Sequence, residues 1–209
     1  MTESRRMEVV FFDIGGVLVD LNLGPFVSKI TTIIKNSAID FDEAAAHAAY
    51  RKLEIGEYSF SQYHQAAYAD GNGAYIFSEN EIRKWWLEML NKETGAVELL
   101  RQVRERTPVW LLTNNNEVHI PHLEKQYTFM HEVDGMISSH LVGCRKPDIA
   151  IYELALKRAN AAPGSAIFID DLEENVATAQ ALGMQAHHYT DANNLADFLH
   201  NWGLIHPVV

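Results

Sequence analysis

Asp13, Thr113-Asn114 and Asp170-Asp171 each stand directly behind a run of apolar residues: Val9-Val10-Phe11-Phe12, Pro108-Val109-Trp110-Leu111-Leu112 and Ala166-Ile167-Phe168-Ile169. Such runs read as short strands buried on both faces. In an open parallel sheet the carboxyl ends of the strands border the crevice where ligands bind, so polar residues at those ends gather in one place. Three carboxylates with no His or Cys beside them form a hard, oxygen-rich set suited to Mg2+, which keeps several waters and pairs with a substrate phosphate. The Thr113 hydroxyl and the Asn114 amide, just ahead of a helix, suit phosphate oxygens. Lys146, on a loop before another helix, is the cation placed to neutralise charge between a nucleophilic carboxylate and a phosphoryl group. Gly15 and Gly16, having no Cβ, let the chain turn sharply and approach a ligand closely. Taken singly, an Asp before two glycines is as readily a turn former, so the argument rests on the set.

The elements that must position these residues follow from periodicity. Phe26, Ile30, Ile33 and Ile34 mark one apolar helical stripe. Asp40 or Asp42 can cap an alanine-rich helix over 44–53, closed by Gly56, and Ser59 opens a third helix through Tyr63, Ala66 and Ala67. That helix stops at the turn cluster Asp70-Gly71-Asn72-Gly73. Ser78-Glu79-Asn80-Glu81 has capping-box spacing, with Ile82, Trp85, Trp86, Met89 and Leu90 behind it as insert core. The stretch from 21 to 91 therefore reads as helix and loop throughout. From Thr94 onward strands and helices alternate, with a weaker edge strand over 185–189 and a final helix through Leu195, Phe198 and Leu199. Alternation of this kind implies right-handed crossovers and a three-layered, Rossmann-like parallel sheet. The expected fold is α/β, with residues 1–20 and 92–209 as the core domain and 21–91 as an inserted all-helical cap domain.

In order and spacing, Asp13-Ile14-Gly15-Gly16-Val17-Leu18, Leu112-Thr113-Asn114, Arg145-Lys146-Pro147-Asp148 and Phe168-Ile169-Asp170-Asp171 with Asn175 resemble the four motifs of the haloacid dehalogenase-like (HAD) hydrolases. The resemblance implies that Asp13 is a nucleophile forming an aspartyl-phosphate, that Thr113 and Lys146 hold the phosphoryl group, and that Asp170 and Asp171 serve Mg2+ with the Gly15 carbonyl. A helical cap would select the substrate and exclude water. One position departs from the pattern. HAD phosphatases usually carry a second Asp two residues after the nucleophile, as the acid that protonates the leaving oxygen, and this chain has Gly15 there. A general acid contributes about 10² to 10⁴ in rate. Either the leaving group needs little protonation, as in a sugar 1-phosphate, an aryl phosphate or an acyl phosphate, or a cap group substitutes, with Glu54, Glu57, His47 and His64 as candidates. The Asp-x-Gly form and the size of the insert are most similar to the glucose-1-phosphate phosphatase branch.

Composition narrows the classes. The chain has 209 residues, 47% hydrophobic and 22% charged, with a formal net charge of −11. That balance argues against nucleic acid or an anionic membrane as partner and leaves a small phosphorylated molecule. A single cysteine, Cys144, excludes an intramolecular disulfide and reads as an idle thiol. Neither a secretory leader nor a spanning apolar run is evident, so a cytoplasmic setting is expected; the polar start, Met1 to Arg6, reads as frayed. Oligomeric state is not legible. The scattered His119, His122 and His131 lack metal-site company, and His187-His188 falls on the edge strand. A 2-haloacid dehalogenase would also use Asp13, but paired carboxylates at 170 and 171 would repel its carboxylate substrate. A phosphomutase needs the second Asp. A scaffold that binds a phosphorylated ligand or partner without turnover remains the alternative from outside enzymology, and Gly15 is the residue that sustains it.

Overall fold

The structure is a computed structural model that describes residues 6–36, 41–69 and 75–206. Residues 1–5, Asp40 and the turn at 70–73 lie outside the described residues. In chain order the elements are β1 (Val9–Phe12), β2 (Val19–Leu21), α1 (Leu23–Asn36), α2 (Glu43–Glu54), α3 (Phe60–Tyr68), α4 (Glu79–Glu88), β3 (Leu90–Glu93), α5 (Ala96–Arg104), β4 (Val109–Thr113) and α6 (His119–Gln126). Then follow β5 (Gly135–Ser138), α7 (Ser139–Val142), α8 (Ile149–Ala159), β6 (Ala166–Asp170), α9 (Glu173–Ala181), β7 (Gln185–His188) and α10 (Ala192–Asn201).

Five strands pair in the order β5-β4-β1-β6-β7, every pair parallel. The three apolar runs are the three central strands. Their side chains alternate between two cores: Val10, Phe12, Leu111 and Ile169 pack with α5, α6 and α10, whereas Val9, Phe11, Leu112 and Phe168 pack with α8 and α9. Burial on both faces is why these strands carry unbroken apolar runs, each large side chain contributing about 1.5–3 kcal/mol. Register then brings the polar ends level, since Phe12 lies opposite both Leu111 and Ile169.

The sheet has one strand more than the sequence reading. β5 pairs with β4 at one edge, but its four residues include a glycine and only two apolar side chains, too little for a local signal. The stretch from 21 to 91 also needs correction, because β2 and β3 pair antiparallel where the chain leaves the core and where it returns. Both strands are short and partly polar, and their pairing joins distant residues, so neither shows in a local window.

Between those two crossings lies the helical insert, with its own core of Leu53, Phe60, Tyr63, Tyr68, Phe77, Ile82 and Trp86. Asp42 caps α2 by accepting the Ala45 N–H, and Ser59 and Ser78 form complete capping boxes on α3 and α4. Each cap contributes about 1 kcal/mol. Val118, from the loop after β4, joins the insert's core, and His119 packs against Trp86, so the insert rests on the carboxyl edge of the sheet. Among the described residues no helix is long and apolar enough to cross a membrane.

Candidate active site

Asp13 follows β1, Thr113 ends β4, Asp170 ends β6, and Lys146 comes from the loop between α7 and α8. The structure brings them together. Lys146 is buried, and its Nζ lies 2.9 Å from Asp13 Oδ2 and 2.5 Å from Asp170 Oδ2. The other oxygen of each carboxylate is also held. Asp13 Oδ1 accepts the Ile14 N–H at 2.7 Å, and Asp170 Oδ1 accepts the Leu172 N–H and the Asn175 side-chain amide, each at 2.9 Å. Asn175 is itself tied down, because its carbonyl accepts the Tyr152 hydroxyl at 3.0 Å. It fixes the rotamer of Asp170.

Asp171 completes the acidic set. Among the described residues, Asp13, Asp170 and Asp171 are the one group of three or more His, Cys, Asp or Glu side chains able to share an ion, their ligand atoms lying within 4.8 Å of one another. Gly16 makes room for this approach. Its φ is +77°, and a Cβ there would collide with the Asp171 carboxylate. Gly15 is less constrained, since a Cβ built on it would meet only Leu21 Cδ1, at 3.2 Å.

Burial pushes the Asp13 carboxyl up to about 7; Lys146 opposes that rise and Asp170 adds to it. Asp171 is likewise raised, by burial first and then by Asp170. Burial pulls the Lys146 ammonium down, but Asp13 and Asp170 outweigh it and leave it raised. Three carboxylates facing one ammonium are short of positive charge. A divalent cation supplies what is missing, and an all-oxygen donor set without sulfur or imidazole fits magnesium.

The structure adds contacts to two of the sequence expectations. Asn114, assigned above to phosphate, donates its Nδ2 to the Lys146 carbonyl and accepts the Lys146 N–H on Oδ1, both at 2.8 Å. Each end of its amide thus makes one hydrogen bond to the main chain of residue 146, so Asn114 also holds the loop that carries the lysine. Among the four cap groups weighed as substitute acids, Glu57 and His47 are exposed. His64 is buried with Nε2 2.7 Å from the Phe77 carbonyl oxygen, as part of the insert's own packing. Glu54 is different: it is buried, with Oε2 3.0 Å from Arg145 Nε, one residue before Lys146. Arg145 and Asn175 were legible only as motif neighbours, because charge pairing across 91 positions and a hydrogen bond five residues apart leave no mark in periodicity. Cys144 is half-buried beside the second core and burial raises its thiol, which suits an idle cysteine.

A parallel sheet whose central strands end in a carboxylate pair, met at that edge by a buried lysine from the loop between α7 and α8, defines a hydrolase built for an anionic, phosphate-like group. The chain belongs to the haloacid dehalogenase-like hydrolases, whose family model matches residues 7–183. Sesquiterpene phosphatase astK of Aspergillus oryzae is 29% identical over 189 residues, which span 88% of this chain and 91% of that one. Phosphatase MT3486 of Mycobacterium tuberculosis is 31% identical over 90 residues, 42% of each chain. The HAD family enzyme bt-2542 of Bacteroides thetaiotaomicron, solved in complex with magnesium and inorganic phosphate, shares the fold with a TM-score of 0.74 at 21% identity, covering 88% of this chain and 94% of its own.

Proposed function

We propose that this protein is a magnesium-dependent phosphatase that hydrolyses a small phosphorylated metabolite through an aspartyl-phosphate on Asp13. The observation that carries the reading is the Asp13–Lys146–Asp170 triangle, with Asp171 beside it. Asp13, Asp170, Asp171 and the Gly15 carbonyl would hold the ion, which when bound supplies positive charge against the phosphoryl oxygens. Lys146 and the Thr113 hydroxyl orient the phosphoryl group. Asp13 Oδ2, the oxygen facing the ammonium, attacks phosphorus, and the bond to the leaving oxygen breaks as the acyl phosphate forms, that oxygen taking its proton from solvent. Water then attacks phosphorus, returning the carboxylate and releasing inorganic phosphate. In this reading 1–20 and 92–209 form the core domain and 21–91 the cap domain. The lone cysteine and acidic balance fit a cytoplasmic protein with a small-molecule substrate and neither nucleic acid nor membrane as partner.

The side chain absent at Gly15 shapes the substrate class. With no carboxylate there to protonate the departing oxygen, esters with stable leaving groups are favoured, which suits a sugar 1-phosphate or an aryl phosphate. The likeness to a sesquiterpene phosphatase adds a terpenyl phosphate to the panel worth assaying. Release of p-nitrophenol from p-nitrophenyl phosphate, with and without Mg2+, tests the reading directly. Magnesium-dependent release well above an Asp13→Asn control is expected. Equal release by both would favour the second reading, a phosphate-binding scaffold without turnover, for which Gly15 is the specific motive.

A further inference from the structure

The loop carrying Lys146 is gripped from two sides. From the core, Asn114 clasps the main chain of residue 146 at both its N–H and its carbonyl. From the helical insert, Glu54 reaches residue 145. Glu54 is the last residue of α2 and only 5% exposed, and its Oε2 lies 3.0 Å from Arg145 Nε. Neither of these two buried atoms has an in-line hydrogen bond, so what binds them is a close contact of opposite charges. Tyr50, one helical turn before Glu54, faces the same carboxylate.

The turn that follows Glu54 is seated on the core as well. Gly56 has φ of +72° and lies so close to the His140 carbonyl oxygen that a Cβ would collide with it. The Phe60 N–H donates to Glu117 Oε1 at 2.6 Å. One seven-residue stretch of the insert, 54–60, thus touches the loop after β4, helix α7 behind β5 and the residue before Lys146, all on the edge of the sheet that carries the acidic set. A buried ion pair is poor evidence for stability, because desolvation offsets most of its attraction, and apolar residues would glue the insert down as well. What a charged pair adds is a defined geometry at one place. Here that place is one peptide bond from the lysine that contacts Asp13 and Asp170.

We propose that the Glu54–Arg145 pair is a latch through which the helical insert sets the position of Lys146, so that seating the insert and gripping the phosphoryl group are a single event. Glu54 is then a positioning residue, acting through Arg145. Only the turnover arm of its test rests on the phosphatase reading above. Burial raises the Glu54 carboxyl while Arg145 and Tyr50 lower it, and Arg51 and Lys146 also lower it. The cations that face it therefore come from both sides of the contact, Arg51 from the insert and Arg145 and Lys146 from the core.

A double-mutant cycle on the full chain tests the latch, using Glu54→Gln, Arg145→Gln, the pair together, and Glu54→Asp as the conservative variant. Two readouts need no catalysis: the affinity for inorganic phosphate in Mg2+ buffer, by calorimetry, and amide hydrogen exchange over residues 43–60. Each single change is expected to weaken phosphate binding about tenfold and to speed exchange in that stretch, with the double variant no worse than either single. Glu54→Asp should recover part of both. For p-nitrophenyl phosphate kcat should fall by up to about 10²-fold, as misplacement of a catalytic group does, and equally so for an alkyl phosphate. Additive losses in the cycle, or unchanged phosphate affinity in both single variants, would overturn the latch. So would a loss confined to alkyl phosphates, which would make Glu54 a proton donor. Should Glu54→Gln fail to fold, Arg145→Gln alone carries the same test, with weaker phosphate binding and faster exchange expected and no change in either overturning the latch. Coupling seen in binding and exchange, with no hydrolysis by the unmodified protein, would sink the phosphatase reading and leave the latch standing.

Discussion

At the scale of single residues, Asp13 and Gly15 divide the chemistry between them. Asp13→Asn keeps the shape and the hydrogen bond from Ile14 but removes the nucleophilic charge, so turnover should fall at least about 10³-fold while the fold persists, as circular dichroism and the thermal midpoint would show. Retention of more than a tenth of the activity would dismiss an aspartyl-phosphate. Gly15 is a different kind of position. Its backbone lies outside the left-handed region, and the nearest obstacle to a side chain is the exposed, flexible end of Leu21 at 3.2 Å. Gly15→Asp should therefore fold and restore an acid two residues from the nucleophile, raising hydrolysis of alkyl phosphates by up to about 10²-fold and of aryl phosphates much less. Equal gains on both would mean that proton supply is not what this site lacks. Asp13, Thr113, Lys146, Asp170 and Asp171 were all legible in the sequence because each stands beside a strand or a motif that announces it. The clasp of Asn114 on residue 146 was not, because an amide reads the same whether it faces a phosphate or a main chain.

At the scale of elements, glycines report where segments touch. Gly56 combines a left-handed φ with a position hard against the His140 carbonyl. Gly56→Ala adds backbone strain of about 1–2 kcal/mol to a collision that only movement of the insert relieves. Hydrogen exchange is expected to rise in α2 and α3 and to remain unchanged in β1, β4 and β6. Uniform acceleration across all five elements would mean that the insert and the sheet open together and not separately. The same elements explain what sequence reading reaches. β1, β4 and β6 are buried on both faces, so their apolar runs are continuous and their ends stand out. β5, β2 and β3 are edge or ribbon strands of three or four residues, partly polar and paired with distant partners, so the information that makes them strands lies outside any local window. The capped helices of the insert were readable for the opposite reason: Ser59 and Ser78 act within four residues of themselves.

At the scale of the whole molecule, the acidic set links stability to pH and to the metal. Burial raises Asp13 from an ordinary 3.8 to about 7, so between those values the metal-free native state holds a proton that the unfolded chain has released. Because the native state binds more protons there, stability falls as pH rises across this interval, by at most about 4 kcal/mol. Magnesium competes with that proton, and its binding energy adds to folding energy only as the carboxyl is freed. The increase in thermal midpoint produced by saturating Mg2+ should therefore be larger at pH 7.5 than at pH 5.5. In Asp13→Asn the metal-free midpoint should fall less between those pH values than in the unmodified protein, since the carboxyl whose burial produces the fall is gone. A metal-free midpoint whose pH dependence is identical in the two proteins would show that Asp13 titrates as an ordinary carboxylate.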